Sequence, residues 1–111
     1  MISDNSLRRI SDIFCGDTQG FYSYKSGPKL VTFFNEYFNG ADKYGQGFPS
    51  RWAYVYNKLA DMLNSNRFDA FLDLVLGKDY LMQDLGISQV EAAEKAGLTF
   101  GIMYNQRTNP V

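Results

Sequence analysis

Gly47, Phe48, Pro49, Ser50, Arg51 and Trp52 run directly into Val55, Tyr56, Leu59, Met62 and Leu63, and this junction decides the fold. Pro49 biases Phe48 toward extended backbone, and Ser50 offers its hydroxyl to the free amides of a following helix. The apolar residues from Trp52 to Leu63 recur every three or four positions, which makes one stripe on a helix. The junction therefore reads as a turn, a helix start and an amphipathic helix.

Helical spacing continues outward in both directions. Upstream, Gly40, Gly45 and Gly47 surround Tyr44 and Phe48 in a connector. Before it, Ser26 is a candidate cap and Pro28 suits a first turn. Leu30, Val31, Phe33, Phe34, Tyr37 and Phe38 then form a second helix stopped by Gly40, apolar over more than one face and so central. Residues Asp17 to Ser26 form a loop carrying Phe21, Tyr22 and Tyr24. The first helix, capped by Asp4 or Ser3, puts Leu7, Ile10, Ile13 and Phe14 on one face and ends at Gly16. Downstream, Asn64 to Asn66 make a break before Phe68, Phe71, Leu72, Val75 and Leu76, a fourth helix ending at Gly77. A short helix spans Lys78 to Leu85 and closes at Gly86. Ser88 and Glu91 match a capping box opening the last helix, which ends at Gly97 or continues to Tyr104. Thr99 to Tyr104 is the one candidate strand, without a partner strand. With no internal repeats, the expectation is an all-α, compact bundle of five to six helices, a single domain over 1–111.

Composition bounds the function. The 111 residues are 45% hydrophobic and 16% aromatic, enough for one core without metals or disulfides. Eleven basic against twelve acidic side chains leave a net charge of −1, which argues against a strongly electrostatic nucleic-acid or membrane partner. The lone Cys15 cannot form an internal disulfide, and Met1, Ile2, Ser3 and Asp4 turn polar too early for a signal peptide, so a cytoplasmic protein is expected. With no histidine, Ser/His/Asp and Cys/His catalytic arrangements and histidine metal sites are excluded. Asp69 and Asp73 stand one helical turn apart, a spacing that could suit a divalent cation but that a solvated helix face explains better. Cys15 lacks an evident activating cation and reads as a half-buried thiol rather than a nucleophile. Gly45, Gln46 and Gly47 match no phosphate-binding pattern. No catalytic residue, metal or cofactor is expected.

One constellation of candidate binding residues remains: Tyr22, Tyr24, Lys25 and Lys29 from the first loop region, with Lys43, Tyr44, Phe48 and Arg51 from the second. Aromatics beside cations would stack bases or grip a protein. The same composition also describes aromatics laid over a core with cations in solvent, and the second helix separates the two loops in sequence. Pro49, Ser50, Arg51 and Trp52 form the structural motif. Trp52 is expected against Phe34 and Phe38. Arg51, disfavoured by the dipole of a first turn, is expected to turn back to Asp42, Glu36 or loop carbonyls and hold the Gly45 to Pro49 turn.

Two resemblances complete the reading. Ser88, Gln89, Glu91, Ala93, Ala96, Gly97, Leu98 and Thr99 resemble the first half of a phage-repressor-type helix-turn-helix, which would span 88–106. Gln106 falls where its recognition helix should carry an apolar anchor. Phe100, Ile102 and Met103 better suit packing on the bundle or a further domain.

Over most of the chain, Leu30, Val31, Phe33, Phe34 and Asn35 followed by Tyr44, Gly45, Gly47, Phe48, Pro49, Ser50, Arg51 and Trp52 resemble the helical N-terminal domain of AbiJ-type abortive-infection proteins. That resemblance implies a non-enzymatic regulatory or sensor module of a bacterial anti-phage protein. It implies an effector domain in cis or a partner protein, and a phage-derived trigger. No HEPN-type arginine-x-x-x-x-histidine motif is present. The ending Asn109, Pro110, Val111 after Ile102, Met103 and Tyr104 reads as an N-terminal module of a longer protein. The competing readings are DNA binding through Gln89 to Tyr104 and an oligomerisation scaffold.

Overall fold

The computed structural model describes residues 2–108, with side chains through residue 103. Expectations resting on the side chains of Tyr104 and Gln106, or on Asn109, Pro110 and Val111, lie outside the described residues. Six helices follow in order: α1 Asp4–Cys15, α2 Gly27–Phe38, α3 Arg51–Asn64, α4 Phe68–Val75, α5 Lys78–Leu85 and α6 Gln89–Thr108. Helix α1 packs on both α3 and α6, α2 lies on α3, and α5 lies on α6.

Local chemistry sets most of the boundaries. The Ser3 hydroxyl accepts from the Ser6 amide, and that of Ser26 from Lys29, which satisfies first-turn donors. Gly16 ends α1 at φ 86°, and the Asp17 amide reaches back to the Asp12 carbonyl at 3.1 Å. Glycine is required there twice over, since a β-carbon would also collide with the backbone of Ser23 and Tyr24. Two expected details differ. Helix α2 stops one residue earlier than expected, at Asn39, whose short amide side chain tolerates φ 56°. Ser50 stands at the N-cap of α3, yet its side chain makes no capping hydrogen bond.

The core is aromatic and centred on Phe14. Its fully buried ring meets Phe33 at 4.8 Å, Phe71 at 5.2 Å, Tyr22 at 5.7 Å and Phe34 at 6.2 Å. Edge-on geometry dominates, as ring quadrupoles favour. Helix α3 contributes Tyr54, Val55, Leu59 and Met62 as its buried face. Trp52 therefore does not meet Phe34 and Phe38. Tyr54 packs on Phe34 at 5.8 Å, while Trp52 lies beneath the Arg8 guanidinium at 3.4 Å and edge-on to Tyr56. The stripe from Trp52 to Leu63 is wider than one contact face, and α1 rather than α2 took its Trp52 edge.

Helix α6 continues unbroken through Gly97. It buries Ala92, Thr99 and Met103, so this segment is neither a strand nor two helices about a turn. The helix-turn-helix geometry of the competing reading over 88–106 is thus not formed. Ser88 does open α6 as expected, accepting from the Glu91 amide at 3.2 Å. Among the described residues, no helix is long and apolar enough to cross a membrane.

Candidate functional site

The two loops meet at one end of α2, because the connector after Asn39 runs back along that helix to the start of α3. Arg51 fastens the meeting point. Its Nε donates to the Lys25 carbonyl at 2.6 Å, one terminal nitrogen to the Cys15 carbonyl at 2.6 Å, and the other to Asp17 at 2.8 Å. The guanidinium also lies over the Tyr24 ring at 3.9 Å. Arg51 turns back to a carboxylate and carbonyls as expected, but it holds the first loop rather than the Gly45 to Pro49 turn. Its carboxylate is Asp17, not Asp42 or Glu36. The Cys15 carbonyl ends α1, where the helix dipole is negative and a cation is favoured.

Lys25 is not a solvated cation. It is buried, and its ammonium pairs with Asp84 of α5 at 2.9 Å while donating to the carbonyls of Phe14 at 3.3 Å and Ser23 at 3.2 Å. An ammonium has three donors, so all are used. Asp84 in turn accepts from the Ser23 amide at 2.8 Å and hydroxyl at 2.9 Å. Burial pulls the Lys25 ammonium below the usual lysine value, and Asp84 pulls it back up. Tyr22 is buried too, donating to the Val75 carbonyl at 2.6 Å. Tyr22 and Lys25 are therefore withdrawn from any exposed binding surface and act as anchors of the first loop. Asp84 was invisible to sequence reasoning, as nothing local marks it among the carboxylates of the chain.

These anchors leave a cleft of about 390 Å³ between α2 and α5. One wall is the Lys29, Phe33, Glu36 and Tyr37 face of α2, and the other is Tyr80 and Gln83 of α5, with Ser23, Lys25 and Asp84 at the floor. Lys29 is the one candidate residue that faces it from the surface. Tyr44, Phe48 and Lys43 instead line a hollow of about 450 Å³ along the connector. There the Tyr44 ring covers Gly27 and meets Phe48 at 4.7 Å, and Phe48 meets Tyr54 at 4.8 Å. Asp42 closes that hollow by pairing with Lys58 and accepting from the Tyr54 hydroxyl at 2.8 Å. The ammonium and the phenol hold its carboxyl below the usual aspartate value.

Cys15 is fully buried, not half-buried, and burial pushes its thiol up to about 12 despite the nearby Arg51. A thiol held in that form is a poor nucleophile near neutral pH. Among the described residues, no group of three metal-ligating side chains converges.

A further surface lies on α6. Val90 and Leu98, each 70% exposed, lie on the side away from the buried Ala92, Thr99 and Met103, while Phe100, 50% exposed, and Ile102, 37%, lie on the two flanks of that buried stripe. A Cβ added at Gly97 or Gly101 would meet open space. No protein-family model matches the chain, and neither a curated protein nor a solved structure matches it.

Proposed function

We propose that this chain is a non-enzymatic regulatory or sensor module of a bacterial abortive-infection protein, controlling an effector that lies outside it. The observation that carries this reading is the apolar outer face of α6. Val90 and Leu98, each 70% exposed, stand on the side of the helix away from the packed Ala92, Thr99 and Met103, and exposed apolar surface of this kind marks contact with a partner. The resemblance around Phe48, Pro49, Ser50, Arg51 and Trp52 supplies the biological context. The chemistry of Cys15 and the absence of histidine agree with a partner supplying any catalysis. A cytoplasmic location suits that role.

The test is phage plating on cells carrying the natural gene, with and without the paired substitutions Val90→Glu and Leu98→Glu. Both side chains are exposed, so the fold should persist by circular dichroism. Protection lost in the doubly substituted strain supports the proposal. Protection absent from the natural gene, or undiminished by the substitutions, overturns it. Selection of one duplex sequence from a random pool at about physiological ionic strength would favour DNA binding instead.

A further inference from the structure

We propose that the outer face of α6 joins two copies of this chain, paired antiparallel about a two-fold axis that crosses the helix between Lys95 and Ala96. The pairing rests on reading that face as a contact surface, and it names a second copy as the occupant.

The relief of the face comes first. Val90, Ala93, Gly97 and Gly101 follow one another at spacings of three, four and four residues, so they form a row along one side of the helix, with Leu98 beside it. Val90 and Leu98, each 70% exposed, project from this side. Ala93 adds only a methyl group, and a Cβ added at Gly97 or Gly101 would meet open space. The face therefore carries two knobs and three notches. Glycine weakens a helix interior, and no described residue packs closely enough on Gly97 or Gly101 to require it. Close approach by something outside the chain gives both glycines a use.

The register comes second. A two-fold contact sets one patch against itself, so it must be self-complementary. An antiparallel helix pair has a single free shift, and setting Leu98 against the second copy's Ala93 fixes it. Val90 then falls against Gly101, and Glu94 against Gly97. Both knobs thus meet notches in one register. A shift of one residue puts Val90 against Phe100 or Ile102 and Leu98 against Ala92 or Glu94, and a parallel pair sets each knob against itself.

Charge agrees with this register. The two Glu94 side chains lie three residues apart across the axis, which would repel. Lys95 of each copy, however, comes within two residues of the other copy's Glu94, about 3 Å along the axis. Neither Glu94 nor Lys95 forms an ion pair with a described residue of its own chain, so both are free to pair across it. The stretch from Val90 to Gly101 is about 17 Å long. A contact between two single helices of that length stands at the small end of specific interfaces, so the dimer should be transient, with Kd of about 10–100 μM.

The experiment is sedimentation equilibrium of the whole chain from about 5 to 500 μM, with circular dichroism of every variant. The chain should pass from monomer to dimer and no further. Leu98→Glu and Lys95→Glu should each weaken the dimer at least about tenfold. Ala93→Leu and Gly101→Leu add apolar surface yet fill the notches, and should weaken it by about as much. Val90→Cys and Gly101→Cys together should give a disulfide-linked dimer on mild oxidation, and either alone should not. On one helix the two positions are about 17 Å apart, too far to join within a copy. The proposal is overturned if the chain stays monomeric, if Ala93→Leu or Gly101→Leu leaves association unchanged or tightens it, or if the cysteine pair fails to link. Should Leu98→Glu unfold, the cysteine pair still reads the register. A monomeric chain whose Val90→Glu and Leu98→Glu strain loses protection would overturn the dimer and leave the face to another partner. A dimer whose loss leaves protection whole would overturn the defence reading and leave the dimer standing.

Discussion

Removing the Asp84 carboxylate should be among the most damaging single changes in this protein. In Asp84→Ala the Lys25 ammonium, with a side chain 6% exposed, loses its counter-ion and keeps only two carbonyls as acceptors. The Ser23 amide and hydroxyl lose their acceptor together. Breaking one side of a buried pair costs about 3–5 kcal/mol, because the remaining charge stays desolvated. Against a typical domain stability of about 5–15 kcal/mol, that is a large fraction. Adding Lys25→Met removes the stranded charge. It leaves Ser23 unsatisfied, so the doubly substituted chain should recover to within about 1–3 kcal/mol of the parent. The non-additivity is the signature of a paired charge, and it should exceed about 1 kcal/mol. Urea unfolding followed by circular dichroism reads all three variants. A loss below about 1 kcal/mol in Asp84→Ala, or simple additivity in the double variant, would refute the reasoning.

Four further outcomes follow. Arg51→Ala removes two short charged hydrogen bonds to carbonyls and a half-exposed pair with Asp17, and should cost about 2–3 kcal/mol in urea unfolding, with Arg51→Lys restoring less than half because an ammonium cannot span the three acceptors. Trp52→Ala, at a half-buried position under Arg8, should cost about 1–2 kcal/mol rather than the roughly 3–5 of a core tryptophan, measured the same way. The Asp42 carboxyl titrates below its unfolded value of ~3.9, so its contribution is whole above that pH and is lost as pH falls through the lower folded value. Asp42→Asn should therefore lower stability at pH 7 and flatten the acid limb of stability against pH. Gly97→Ala meets open space on an exposed helix face and should raise stability by roughly 0.5–1 kcal/mol in thermal or urea unfolding.

The boundaries of the six helices were largely legible in the chain itself. Ser26 with Pro28, Gly16, Gly86 and the pair Ser88 and Glu91 each act on amides or carbonyls a few residues away, so their effect is written where they stand. The apolar spacing likewise marked which residues of α1 and α4 go inside. What spacing could not say was which neighbour each edge of a stripe would meet, and so Tyr54 rather than Trp52 reached α2. Nor could it settle α6, where glycines at 97 and 101 weaken the local preference and burial of Thr99 and Met103 carries the helix onward. The candidate site was least legible of all. Lys25 meets a carboxylate 59 residues further along the chain, and Arg51 meets a loop that precedes α2. Whether a lysine or tyrosine ends as an anchor, as Lys25 and Tyr22 do, or faces a cleft, as Lys29 and Tyr80 do, depends on which long-range partner folding brings within hydrogen-bond reach, and no local pattern encodes that distance.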